Sequence, residues 1–302
     1  MADQAVNIDE IALADIGQPG RLAIELHRQL RIQFGTVPTR IPLHGIARAV
    51  GIVDVQEYDV DKFLGTLVIK EGRGAIGLQR GLQSGRRNFT LGHEIGHFLI
   101  PTHRLKRTSF ECTNTDMKRT RSGNLDSSPP LERIEIEANE FAATLLIPGP
   151  EYRAERKKLG KSPDVRHIRE LARTFDVSQE MLAGTYVRME DTKLAVITSH
   201  NGIVKRIIPC LNFPYMGLRK DIPLPPNCLT KSYAGSSSPG AVSDMQERRT
   251  DAWLETGGSV SALYEQVLIQ EKGWAITLLS IDEDEVDDDE DDRNWNRRNN
   301  RH

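Results

Sequence analysis

Phe89-Thr90-Leu91-Gly92-His93-Glu94-Ile95-Gly96-His97-Phe98-Leu99-Ile100-Pro101 sets two imidazoles four residues apart, with a carboxylate directly after the first. On a helix, positions i and i+4 share a face, so His93 and His97 can both turn a ring nitrogen toward one cation. Glu94 then lies beside that cation, placed to take a proton from activated water. Asn88 reads as the N-cap of this helix, Leu91, Ile95, Phe98 and Leu99 as its apolar stripe, and Pro101 as its stop. The spacing is the H-E-x-x-H arrangement used for metal-assisted hydrolysis. Two satisfied histidines on an amphipathic helix would match the same five positions, so the partner segments have to decide.

A catalytic zinc site takes a third protein ligand and keeps a fourth position open for water. His103 sits where an extended H-E-x-x-H-x-x-G-x-x-H pattern puts its last histidine, but the glycine that pattern needs to turn the chain is Ile100 here. The other candidate lies in Leu131-Glu-Arg-Ile-Glu-Ile-Glu-Ala-Asn-Glu-Phe-Ala-Ala-Thr-Leu-Leu-Ile-Pro148, which reads as a second helix. Its phase puts Ile134, Ala138, Phe141 and Leu145 on the core face, and Glu137, Glu140 and Thr144 on a polar, solvated face. Glu135 falls between the two faces and can point inward, and Asn139 one turn later can hydrogen-bond a ligand histidine. The phase therefore favours Glu135 over Glu137. Gly92 and Gly96 each cost about 1 kcal/mol inside a helix, and close approach of a helix presenting Ala138 and Ala142 would offset that.

The three strings FTLGHEIGHFLIP, EIEANEFAATLLIP and IRELARTFDVSQEML, in this order, resemble the ImmA/IrrE family of metallopeptidases over roughly residues 20–190. The resemblance implies a gluzincin-like zinc peptidase domain, a small mixed sheet plus helices; with the smaller β-rich C-terminal region read from its strand patterns, the expected fold class is α+β. It implies His93, His97 and Glu135 as ligands of one catalytic Zn2+, with Glu94 as general base. It also implies a regulatory protein as substrate, commonly a helix-turn-helix repressor. His103, Tyr152 and His167 are candidates for the donor to the tetrahedral oxyanion, and the residues do not choose among them.

Domain limits follow composition: an N-terminal segment 1–19, the peptidase domain 20–190, a β-rich region 191–280 and a disordered acidic tail 281–302. The last segment, acid-rich and then Arg- and Asn-rich, cannot bury a core. In the β-rich region, KLAVITSHNGIVKRIIPC alternates around an Asn-Gly turn and reads as a hairpin, as does EQVLIQEKGWAITLLSID. A Pro- and then Ser/Gly-rich stretch, Phe213 to Gly240, separates them, with helix support expected around Asp251 to Leu254. In the N-terminal half, GTLVIKEGRGAIGLQRG reads as two strands about a glycine turn, the second, Ala75–Gln79, as a sheet edge able to pair with an extended peptide.

The candidate recognition helix of the IRELARTFDVSQEML segment starts Ser178-Gln179-Glu180, and an acidic side chain there opposes phosphate contact, so direct nucleic-acid binding is not expected. The start is mildly acidic and no apolar run could span a bilayer, so a cytoplasmic protein with no membrane partner is expected. Cys112, Cys210 and Cys228 lack paired spacing and read as reduced thiols. Thr102 to Pro130 reads as a long polar, basic connection, within which Cys112 could reach the metal and hold the water position. Two rivals to hydrolysis remain: a non-cleaving relative that only binds a repressor, and a DNA-binding regulator with a structural metal. The helix pair in IRELARTFDVSQEMLAGTYVRM would be the reader in the second.

Overall fold

Pro19, which has no N–H to leave unpaired at a helix start, is the first residue of a sixteen-residue helix, and Gly35 at φ 80° ends it. The computed structural model describes residues 5–118, 129–235, 237–255 and 260–283. Contacts divide the chain into two units. The first holds the residues up to Lys161 together with His167–Leu182, and the second holds Ser162–Arg166 and the residues from Ala183 onward.

The first unit runs α1 (Ile11–Ala14), α2 (Pro19–Phe34), α3 (Leu43–Ala49), β1 (Ile52–Tyr58), β2 (Gly65–Lys70), β3 (Arg73–Gln79), α4 (Ser84–Leu99), α5 (Pro101–Lys106), β4 (Ser109–Cys112), α6 (Pro130–Leu146) and α7 (Gly149–Lys157). Helices α8 (Val165–Phe175) and α9 (Gln179–Met189) follow, and the division between the units falls within both. The sheet order is β1-β3-β2-β4, with β1 parallel to β3 and the other pairs antiparallel. Glu71 and Gly72, both at positive φ, make the tight β2–β3 turn. The expectation of an edge at Ala75–Gln79 is corrected, because β3 is paired on both sides and the edges are β1 and β4. Strand β4 itself lies in the stretch read as a polar connection. Four residues, with only Phe110 and Cys112 facing inward, give too little alternation to stand out among basic neighbours.

Helix α4 starts at Ser84, a turn before the expected cap. Its first turn is fixed from outside: Gly85 lies so close to Val177 and Ser178 that no side chain fits, and Asn88 donates to the Asp176 carbonyl and carboxylate instead of capping. Helices α4 and α6 pack together, with Leu91, Ile95, Phe141 and Leu145 fully buried between the helices and the sheet. Each such side chain contributes about 1.5–3 kcal/mol. The two α4 glycines differ in what they meet. A Cβ on Gly92 would touch Ala142 at 3.5 Å, an ordinary contact, whereas one on Gly96 would stand 2.9 Å from Phe141.

The second unit is an antiparallel sheet of β5 (Lys193–His200), β6 (Ile203–Pro209), β7 (Gln246–Arg248), β8 (Val260–Ile269) and β9 (Trp274–Glu283), in the order β6-β5-β9-β8-β7. Both expected hairpins are present, turning at Asn201-Gly202 and at Lys272-Gly273, all four residues at positive φ. Ala195, Ile197, Leu263, Leu279 and Trp253 centre its core. The helix expected near Asp251 is only the single 3₁₀ turn Thr250–Ala252. The helical support is α10 (Leu229–Ala234), inside the stretch read as a separator. Glu265, fully buried, accepts from the Leu229 and Thr230 amides, the Thr230 hydroxyl and the Trp253 indole, each at 2.9 Å. Strand β9 runs to Glu283, and the rest of the acidic segment, like 119–128 of the basic connection, lies outside the described residues. No helix among the described residues is long and apolar enough to cross a membrane.

Candidate metal centre

One turn of α4 turns His93 and His97 to the same side, and α6 brings Glu135 against them. The His93 and His97 Nε2 atoms are 2.9 Å apart, and Glu135 Oε2 lies 3.1 Å from the first and 3.5 Å from the second. Cys112, last residue of β4, adds its Sγ at 3.0 Å from His93 Nε2, 3.6 Å from His97 Nε2 and 3.7 Å from Glu135 Oε2. Both rings and Cys112 are buried. Phe110, two residues before the cysteine, stacks on the His97 ring at 4.3 Å between centroids.

The outer nitrogens have their own partners. Asn139 donates its amide to the Asp116 carbonyl (2.8 Å), which leaves its Oδ1 facing His93 Nδ1 at 2.8 Å. An oxygen there requires His93 to carry its proton on Nδ1 and to turn the Nε2 lone pair inward. His97 Nδ1 meets His103 Nδ1 at 3.1 Å, and His103 Nε2 meets Glu137 Oε2 at 2.9 Å. Arg133 donates from the far side to Glu137 Oε1 at 2.8 Å. His103 is thus not among the converging atoms: α5, which Pro101 starts as well as ending α4, sets it behind His97. Glu137 is not the solvated carboxylate that helical phase suggested, because α5 covers that part of α6 and supplies its buried partner. No periodicity could have shown this pair, since it depends on the turn after Ile100.

Three lone-pair atoms and a sulfur converging within hydrogen-bond distance repel one another unless something positive sits among them. In the bare chain that can only be a proton. The His93 pKa is accordingly raised: burial opposes protonation, but the Glu135 bond and the Glu94 and Glu135 charges outweigh it. Burial, together with neighbouring His93, drives His97 down to about 3, so its ring stays neutral. Burial would raise the Glu135 pKa, but its bonds to both rings hold it well below the usual carboxylate range. Two imidazoles, a carboxylate and a thiol, with outer partners fixing the rings, form a donor set that fits a divalent metal ion.

Glu94 is fully buried beside this cluster, and neither of its oxygens has a hydrogen-bond partner among the described residues. Burial raises its pKa to about 7. Room for it comes from the sheet: a Cβ on Gly65, first residue of β2 and register partner of Cys112, would stand 2.5 Å from Glu94 Oε1 and 2.6 Å from Thr90 Cγ2. Of the other oxyanion candidates, Tyr152 lies on α7 near Phe175 and His167 is buried on α8.

Residues 49–185 match the family model described as Peptidase M78, IrrE N-terminal-like domain. Over these residues, fewer than half of the chain, the sequence is similar to that family. The IrrE-like segment spans the sheet, α4, β4 and α6, and so contains all four converging atoms and Glu94. Among solved structures, a Mycobacterium tuberculosis transcriptional regulator is similar at 15% identity and a TM-score of 0.47, over 90% of this chain and 74% of that one. No curated protein matches the chain.

Proposed function

We propose that the chain is a zinc-dependent endopeptidase that hydrolyses a peptide bond in a regulatory protein. His93, His97 and Glu135 would hold one Zn2+ and Glu94 would act as general base. The observation that carries this reading is Glu94: a carboxylate buried without a partner costs several kcal/mol, and it lies beside the convergent acceptors. Stability gives no reason to keep it, whereas proton transfer does. Zinc bound there would supply Lewis acidity, acidifying water and polarising a peptide carbonyl. Glu94, with a pKa brought near neutrality, is matched to accept the proton of that water and to return it to the leaving amine. Asn139 and His103 would keep the two rings from rotating while this happens. The family resemblance supplies the substrate class, a helix-turn-helix repressor held in the same cell.

The test combines metal content with cleavage of a purified repressor encoded next to this gene. Glu94→Gln is expected to keep its zinc and lose about 10²–10⁴-fold in rate, while Glu135→Ala loses the metal. Undiminished cleavage by Glu94→Gln would remove the general base and with it the proposal.

A further inference from the structure

The atoms His93 Nε2, His97 Nε2, Glu135 Oε2 and Cys112 Sγ define six separations: 2.9, 3.0, 3.1, 3.5, 3.6 and 3.7 Å. A planar square would need two of the six to be about 1.4 times the other four. Six separations this similar describe a near-regular tetrahedron, whose centre lies roughly 2 Å from every corner, the length of a zinc–ligand bond. The sulfur therefore stands on the corner that a hydrolytic site keeps for water.

We propose that Cys112 is the fourth metal ligand and that the chain folds with its hydrolytic centre closed, latent until the sulfur is displaced. The inference rests on the peptidase reading above and adds its regulation. A purely structural metal would also have four protein ligands, but it would give no reason to bury Glu94 unpartnered or to keep Gly65 bare in front of it. The cysteine is also well placed to leave. It ends a four-residue edge strand paired on one side only, where its carbonyl accepts from the Leu64 amide. Rotation about its Cα–Cβ bond would withdraw the sulfur without breaking that pairing. The exchange is a ligand substitution: the metal–sulfur bond breaks, the thiolate keeps its electron pair and takes up a proton, and one water enters. No oxidant is required. A peptide bound along β4 could drive the exchange, because it would run past the cysteine.

Cobalt(II) loaded into the full chain reads coordination without any substrate. The wild-type protein is expected to show a sulfur-to-cobalt charge-transfer band in the near ultraviolet, and a spectrum that acetohydroxamate, a small metal-chelating probe, leaves unchanged. Cys112→Ser, with Cys210 and Cys228 intact, is expected to bind cobalt one to one, lose the band and shift its spectrum on adding the probe. Cys112→Ala serves as the second variant, with circular dichroism to show that each is folded. A wild-type cobalt protein lacking the band and responding to acetohydroxamate as the variants do would overturn the proposal and leave the peptidase reading standing. Variants that lose the band yet still exclude the probe would make the site structural and overturn latency. If cobalt binding is absent, or is the same in His93→Ala, the metal reading fails as well.

Discussion

Among the described residues two glutamates are completely buried, and they are treated in opposite ways. Glu265, in the C-terminal sheet, receives four donors at 2.9 Å and ties α10 and Trp253 to β8. Glu94, in the N-terminal unit, receives none. The first carboxylate is a structural cap on a helix start, its charge spread over amides, a hydroxyl and an indole. The second keeps its basicity because burial outweighs the His93 charge and the Cys112 thiol beside it. Burial alone therefore does not single out a candidate functional acid; burial with its hydrogen-bonding capacity left unused does.

Glu265→Ala tests the structural side of this contrast and should have the largest effect. Four buried donors lose their acceptor, so a loss of about 4 kcal/mol is expected in urea unfolding. A loss below about 1 kcal/mol would mean the donors find other partners, and the contrast would break. Glu94→Gln, measured on metal-free protein, should move the other way. The folded carboxyl keeps its proton up to about 7, whereas the unfolded one releases it near 4.5. The folded state therefore binds the extra proton across that window, and its stability falls as pH rises through it. The amide escapes this penalty, so the variant should gain about 3 kcal/mol between pH 4 and pH 8 relative to wild type. A difference independent of pH would show that Glu94 is not held protonated. The smallest effects probe how tightly the surroundings are built. Gly96→Ala should lose about 1–2 kcal/mol against Phe141, while Gly92→Ala, in ordinary contact, should gain up to about 1 kcal/mol from helix propensity. Equal thermal shifts for the pair would refute the close packing at Phe141.

How much of this could be read in advance depended on range. The spacing of His93 and His97, and the phase of Glu135 and Asn139 on the second helix, are properties of single helices, and periodicity exposes them. Gly92 and Gly96 looked equivalent in the sequence and are not, because the residue opposite each one lies about fifty positions away. Cys112 was visible as an option, but the short strand that delivers it was not. Helix α10 was hidden for a similar reason: a six-residue turn among prolines, serines and glycines gives no local signal, and what holds its first amides is Glu265, from a strand about 35 residues later. Asn88 illustrates the reverse error, a good capping residue used by tertiary structure for a different bond.

The line from Arg133 through Glu137 and His103 to His97 has a direction. A carboxylate can only accept, so the His103 nitrogen facing Glu137 must carry hydrogen. In the neutral ring its other nitrogen is then a lone pair, which obliges His97 to present N–H to it and to keep a bare nitrogen at its opposite end. The tautomer of a ring with no solvent exposure is thus dictated from the rim of the protein, where Arg133 is half open to water. Reversing that ring's orientation of charge would require every link back to the arginine to reverse with it.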